Sequence, residues 1–287
     1  MSAAQRSAEA PVTLTGLEDK RRRGEPIVMV TAYDFPSARA AELAGVDVVL
    51  VGDSAATTVL GYDSTVPLAL DELLVLTRAV RRGLRLPLLV GDLPFGTYEG
   101  SDELAIASAQ RLVKEAGCDA VKLEGGGLSV QRTRAIVAAG IPVMGHVGLT
   151  PQTAVALGGL RAQGRTADRA LALARDAFAL QEAGCFSLVF EAIPAAVAAE
   201  LVPRLAVPVI GIGAGPATDG QVLVLHDLLG YREGHGARFV KRYADLLDDV
   251  VEGIAAFAGE VRGRAYPGPE HTYAIDEEEL AALRRAL

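Results

Sequence analysis

Four carboxyl side chains, a lysine and a histidine stand at the polar ends of five short apolar runs, and their types compose a metal-centred active site. The runs cover 46–53, 87–92, 119–124, 142–146 and 186–191, ending in Asp53, Asp92, Glu124, His146 and Glu191. Asp53 and Asp92 are hard oxygen donors of the kind Mg²⁺ takes one or two at a time, with waters and substrate completing its shell. Glu124 adds a third carboxylate, and the lack of clustered His and Cys argues against zinc. A single strand-end Asp more often caps the helix that follows it; three acids on three successive strands point to a metal. Lys122 and Glu124 are two apart on one strand, so they face the same side. Inside a barrel such charges must pair with each other, a ligand or a metal. Lys122 could neutralise a substrate carboxylate, hold an enolate oxygen or form a Schiff base, with a structural Lys–Glu pair as the plain alternative. Glu191 lies just ahead of Pro194 at a helix start, so it either complements that helix N-terminus or acts as a general base tuned by burial. His146, in Met144-Gly-His-Val-Gly-Leu-Thr-Pro151, is either a functional histidine or a hydrogen-bonded core residue.

A repeated grammar of elements brings these residues together. Four of the five runs follow an Ala-Gly pair, at 44–45, 116–117, 139–140 and 183–184. Glycine after an apolar-periodic stretch stops a helix, because it accepts the left-handed conformation without a Cβ penalty. Eight strands are expected: 27–32, the five runs ending at the residues above, 207–212 and about 222–225. Helices are expected over 37–44, 69–82, 101–116, 129–139, 166–183, 195–205 and 237–261, with long loops at 54–67, 93–100 and 147–165. Short apolar strands alternating with amphipathic helices imply a parallel sheet buried on both faces. Eight such units favour closure into a single (β/α)8 TIM barrel, where strand C-termini converge on one catalytic mouth. No Gly-rich dinucleotide turn follows the first strand, and Gly211-Ile-Gly-Ala-Gly215 reads as a tight turn rather than an anion site. No linker divides the chain: 1–26 is a tail with a short helix, 27–262 the barrel and 263–287 a C-terminal tail.

Composition excludes several classes. Of the 287 residues, 50% are hydrophobic and only 22% charged, which predicts a large buried core. A net charge of −8 argues against a nucleic-acid surface. No window reaches the roughly 18 apolar residues of a membrane helix, and the small, polar stretch 1–11 has no apolar core of a secretory signal. Cys118 and Cys185 read as small buried residues in a reducing cytosol, without a disulfide. The basic run Lys20-Arg-Arg-Arg23 precedes Gly24, as cations do at a helix C-terminus.

Read in order, further blocks join the site residues: Thr31-Ala-Tyr-Asp34, Val51-Gly-Asp-Ser54, Gly61-Tyr-Asp-Ser-Thr65, Asp92-Leu-Pro-Phe-Gly-Thr-Tyr98, Val121-Lys-Leu-Glu-Gly-Gly126 and Met144-Gly-His-Val-Gly-Leu-Thr-Pro-Gln152. Beyond them come Gly164-Arg-Thr166, Glu191-Ala-Ile-Pro194, Gly211-Ile-Gly-Ala-Gly-Pro216, Asp219-Gly-Gln-Val-Leu-Val-Leu-His-Asp227 and Pro267-Gly-Pro-Glu-His271. Together they resemble the 3-methyl-2-oxobutanoate hydroxymethyltransferase (ketopantoate hydroxymethyltransferase) family from about Val28 to Tyr273. The resemblance implies a barrel of the phosphoenolpyruvate/pyruvate-like superfamily, a Mg²⁺ cofactor and a cytoplasmic homo-oligomer, often a decamer. It implies transfer of a one-carbon unit from 5,10-methylenetetrahydrofolate to 3-methyl-2-oxobutanoate, giving 2-dehydropantoate for pantothenate and coenzyme A synthesis. By motif, Asp53 and Asp92 would ligate Mg²⁺, Glu124 would be a further or water-mediated ligand, and Ser54 and Lys122 would hold the oxoacid. Glu191 would accept the proton, and His146 would contact substrate.

The chain departs from that pattern at Ala55-Ala-Thr-Thr58, at Tyr62 where His is common, and at Phe190 where Leu is common. These changes leave the reaction type standing and open the identity of the oxoacid. The alternatives are a paralogue acting on a related 2-oxoacid, a Mg-dependent 2-oxoacid lyase or mutase, and an inactive scaffold. The lyase signature, a Lys-Lys-Cys-Gly-His-like loop, is missing, and no site carboxylate is lost as an inactive scaffold would allow.

Overall fold

Eight parallel strands close on one another in chain order: β1 (Ile27–Thr31), β2 (Val48–Val51), β3 (Leu88–Asp92), β4 (Ala120–Lys122), β5 (Val143–Gly148), β6 (Ser187–Glu191), β7 (Val209–Ile212) and β8 (Gly220–Leu223). The computed structural model describes residues 10–234 and 236–287, so the first nine residues of the expected N-terminal tail lie outside it. Closure comes from β8 pairing with β1, with Ile27 opposite Gly220 and Met29 opposite Val222. Most strands are short, mainly apolar runs buried on both faces, as β2 shows with all four positions buried, whereas β1 and β8 each leave one outward residue exposed. One apolar cluster fills the barrel, with Met29, Leu50, Val90, Met144, Val189 and Ile210 among its members; a second lies between strands and helices.

The helices between strands are α2 (Phe35–Ala44), α4 (Leu70–Gly83), α5 (Asp102–Ala116), α6 (Leu128–Ala138), α7 (Ala167–Glu182) and α8 (Ala195–Leu201), with a four-residue turn of helix, α3 (Ala55–Thr58), after β2. Their ends follow the expected chemistry. Asp34 and Ser37 form a capping box at the start of α2, and Gly45, at φ 74°, closes it in the left-handed conformation that only glycine adopts without strain.

The first helix, α1 (Leu14–Arg23), closes the bottom of the barrel. Leu17 inserts into the inner cluster. The basic run then ties this helix to strand N-termini: Lys20 pairs with Asp47 at 2.6 Å, Arg21 with Asp219 at 3.5 Å, and Arg21 also donates to the Leu205 carbonyl.

Several boundaries differ from the expectation. β4 stops at Lys122, leaving Glu124 on its continuation, while β5 runs past His146 to Gly148. β8 starts at Gly220 rather than near Val222, as required by its pairing with β1. After the short helix α9 (Leu225–Leu228), the helix expected from 237 begins at Leu246 as α10 (Leu246–Arg262). A further helix, α11 (Glu277–Ala286), lies in the C-terminal tail. Cys118 and Cys185 are free and buried. Among the described residues no helix is long and apolar enough to cross a membrane.

Candidate active site

Strand ends β2 to β6 deliver Asp53, Asp92, Lys122, Glu124, His146 and Glu191 to one cavity of about 900 Å³, which Ser54 also lines. All the site residues read from the sequence therefore share a single space. Lys122 and Asp92 form its tightest pair: the ammonium donates to both carboxylate oxygens, at 2.7 and 2.8 Å, and stands 3.7 Å from Glu124. Burial alone would lower the Lys122 pKa, but Asp92, Glu124 and Asp53 outweigh it and hold the amine protonated well above its ordinary value. A charged amine cannot attack a carbonyl, so the Schiff-base role loses support.

His146 sits between two acids. Its Nδ1 is 3.2 Å from Glu124 Oε1 and its Nε2 is 3.3 Å from Glu191 Oε2. Neither ring nitrogen is aligned for a good hydrogen bond, so the contacts are ion pairs across a short gap. Burial and Lys122 push the imidazole pKa down, yet the flanking carboxylates prevail and raise it to about 9. At neutral pH His146 is an imidazolium clamped between Glu124 and Glu191.

Glu124 is held from the other side by groups that sequence reasoning did not single out. The Gln152 backbone N–H donates to Glu124 Oε2 at 3.1 Å, the Tyr98 hydroxyl donates to Gln152 Oε1 at 2.7 Å, and Gln152 Nε2 donates to the Leu93 carbonyl. Both residues end recognised blocks, and that membership was the only signal they gave. Ser54 meets the Tyr33 hydroxyl at 2.8 Å, which fixes its hydroxyl at the start of α3. Directly after Glu191, Ala192 takes φ 48°, uncommon for a residue with a Cβ. Two backbone hydrogen bonds hold it, its N–H to Ile212 O and its carbonyl from Gln163 N–H, so the turn that aims Glu191 is fixed from both sides.

Asp53 is the unbalanced member. Its N–H donates to Asp92 Oδ2 at 3.2 Å, but its own Oδ2 is buried without a partner. Burial, then repulsion from Asp92 and Glu124, raises its pKa to about 8. With Asp53 deprotonated, four carboxylates would face two cations, Lys122 and His146, and one divalent ion taking the place of the Asp53 proton would fill that deficit. No three His, Cys, Asp or Glu side chains among the described residues already form a metal cage. Mg²⁺ does not need one, since it commonly binds through one or two carboxylates plus substrate and water. The donors present fit that mode.

The departures from the family pattern fall mostly away from the cavity. Phe190, Ala55 and Ala56 are buried in the outer cluster, and the Tyr62 hydroxyl donates to Glu72 at the surface. Thr57 and Thr58 alone among them line the cavity. Gly211 and Ile212 end β7 and the chain bends only at Gly213–Gly215, where Gly213 and Gly215 take positive φ; none of Pro267–His271 lines the site.

The chain matches the model of the family described as ketopantoate hydroxymethyltransferase over residues 11–269. It is 53% identical over 276 residues to 3-methyl-2-oxobutanoate hydroxymethyltransferase 1, mitochondrial, of Arabidopsis thaliana, covering 94% of this chain and 80% of that one. It is also 53% identical over 270 residues to 3-methyl-2-oxobutanoate hydroxymethyltransferase of Moorella thermoacetica, covering 94% of this chain and 99% of that one. Among solved structures it is similar to 2,3-dimethylmalate lyase, a PEP mutase/isocitrate lyase superfamily member, with TM-score 0.57, 16% identity, and 96% and 99% of the two chains covered. At that identity the likeness shows the barrel fold alone.

Proposed function

The chain belongs to the ketopantoate hydroxymethyltransferase family, and we propose that it transfers a hydroxymethyl group from 5,10-methylenetetrahydrofolate to 3-methyl-2-oxobutanoate, giving 2-dehydropantoate. The observation that carries this reading is the meeting of an unpartnered carboxylate oxygen on Asp53, a protonated Lys122 and the rim acid Glu191 in one cavity. Asp53 and Asp92 would hold Mg²⁺, with Glu124 as a further or water-mediated ligand. When bound, that ion supplies positive charge for the oxygen on which an enolate develops.

The residues divide the remaining work. Ser54 and Lys122 hold the oxoacid, Lys122 as a fixed cation that takes no proton from it and forms no bond to it. Glu191, at the rim of the cavity, receives the C3 proton on a carboxylate oxygen. His146 keeps Nε2 3.3 Å from Glu191 Oε2, screening that acid from Glu124 and orienting it towards the substrate. One water breaks the two C–N bonds that hold the donor's methylene carbon, protonating both nitrogens of the departing tetrahydrofolate and leaving the carbon as a carbonyl. C3 bonds to that carbon, and the carbonyl oxygen takes the proton held by Glu191 to become the hydroxyl. A reduction-trapped Lys122–oxoacid adduct would overturn the non-covalent role of Lys122.

The lyase and mutase alternative has only fold-level likeness behind it, against half the residues identical over nearly the whole chain for the transferase. A cytoplasmic homo-oligomer belongs to the same proposal, supported by two free buried cysteines and by the exposed apolar face of α10. The test is proton exchange followed by NMR. Protein, Mg²⁺ and 3-methyl-2-oxobutanoate in D₂O should lose the C3 proton only with metal, and should yield 2-dehydropantoate once methylenetetrahydrofolate is added. Exchange with a close analogue but not with this oxoacid would move the assignment to a paralogue; no exchange with any 2-oxoacid would leave a scaffold.

A further inference from the structure

Glu191 fixes where the alkyl part of the substrate must lie. In 3-methyl-2-oxobutanoate the carbon that gives its proton to Glu191 is the same carbon that carries the two methyl groups, so the methyls lie beside that carboxylate. The wall there is apolar. Val189 precedes Glu191 by two residues on β6 and faces the same side, and Ile212 is the register partner of Glu191 on β7. Both line the cavity, as does Val222 on β8.

Over this wall, the irregular segment between α9 and α10 turns Phe239 into the barrel mouth. A Cβ placed on Gly213 would lie 2.4 Å from the Phe239 ring, so the ring rests directly on the Gly213 backbone, where φ is +68°. Phe239 packs against the inner cluster that holds Val189, Ile212 and Val222, and it lines the same cavity as Glu191. We propose that Phe239, seated on Gly213, roofs the alkyl pocket and sets the largest 2-oxoacid side chain the site accepts. This rests on the proposed function. It also assigns oxoacid choice to the β6–β8 side of the mouth, where Phe190 of β6 faces the outer cluster instead of the cavity and Tyr62 does not line the wall. A roof of this kind reads size, because an apolar pocket discriminates one methylene by roughly 10- to 200-fold.

The test compares wild type with Phe239→Ala and Phe239→Leu, using 3-methyl-2-oxobutanoate and the longer 3-methyl-2-oxopentanoate. Two readouts are taken: kcat/KM with methylenetetrahydrofolate, and oxoacid Kd with Mg²⁺ by calorimetry without folate. Opening the roof should raise the preference for the longer acid by about tenfold in Phe239→Ala. The loss on the shorter acid should fall mainly on KM and Kd rather than kcat, and Phe239→Leu should lie between. An unchanged preference in variants that remain folded by thermal melting overturns the proposal; if the Ala variant does not fold, the Leu variant decides. A wild type that converts the oxoacid while the ratio stays unmoved removes only the roof, whereas a wild type that binds no 2-oxoacid removes the parent reading and this one with it.

Discussion

A charge on Asp53 is disfavoured by burial and by its acidic neighbours more than Lys122 and Gln152 offset, and this makes the metal-free site sensitive to pH. With its pKa raised to about 8, Asp53 keeps a proton in the folded state that it would lose near 3.8 when unfolded. The contribution of that protonated form is complete at low pH and is lost as pH rises through about 8. His146, raised to about 9, acts in the same direction, since its imidazolium is favoured by folding and disappears as pH passes that value. Metal-free protein should therefore melt at falling temperatures between pH 7 and pH 9.5, and Mg²⁺ should flatten the profile by taking the place of the Asp53 proton. Below pH 8 calorimetry in buffers of different ionisation enthalpy should show proton release on Mg²⁺ binding; a pH-independent melt with no proton release would contradict this account of Asp53. Glu191→Gln separates binding from chemistry. It keeps the shape of the rim and removes the base, so C3 exchange should fall by about 10²- to 10⁴-fold while oxoacid Kd changes little. Exchange at the wild-type rate would assign the base elsewhere.

Among the elements, α1 has the most direct structural consequence, because it turns an open barrel end into a sealed core. Leu17 is 1% exposed and lies in the inner cluster, so Leu17→Ala should cost about 2–5 kcal/mol in urea unfolding. Its effect on kcat should be small, because the helix binds the end of the barrel opposite the mouth; a variant as stable as wild type would mean the plug is not packed. The strands and their order were legible in the sequence because each is a short, mostly apolar run and four of them follow an Ala-Gly stop, and the positions of Asp53, Asp92, Glu124, His146 and Glu191 followed from that. What the local pattern missed was set by distant contacts. The stretch 237–245 looks like the start of a helix, yet Phe239 is drawn to the barrel mouth by the bare backbone of Gly213, and the helix begins only at Leu246. Tyr98 and Gln152 gave no sign of supporting Glu124, because their link crosses 54 residues of sequence and no spacing rule spans that separation.

At the scale of the whole molecule, the barrel is left with apolar surface that a single chain does not bury. None of the 17 residues of α10 is buried, and Val251, Ile254, Phe257 and Val261 line up at intervals of three to four along it, with Ile254 64% and Phe257 55% exposed. Spacing of that kind makes one stripe about 15 Å long on a single face, unlike the singly scattered apolar residues a monomer carries. The barrel wall shows a matching lack of cover where β8 meets β1: Val28 is 49% exposed and its register partner Gln221 is exposed as well. A parallel barrel strand normally has a helix over its outer face. Helix α10 is tied to the chain before it at its first turn, through the Leu229 and Gly230 carbonyls. Near its end, among the described residues, it meets only the segment that follows it, where Phe257 packs edge-on against Tyr266 and Glu260 O accepts from Ala265 and Tyr266. The two unmet surfaces argue that a second copy meets them, which also accounts for a hydrophobic helix persisting in a protein of net charge −8. Sedimentation velocity at micromolar concentration should show an oligomer, and Ile254→Glu combined with Phe257→Glu should reduce its mass. The pocket residues are all supplied by one chain, so oxoacid binding should survive dissociation while thermal stability drops. A wild-type monomer, or a charged double variant that sediments like the parent, would rule out α10 as the joining surface.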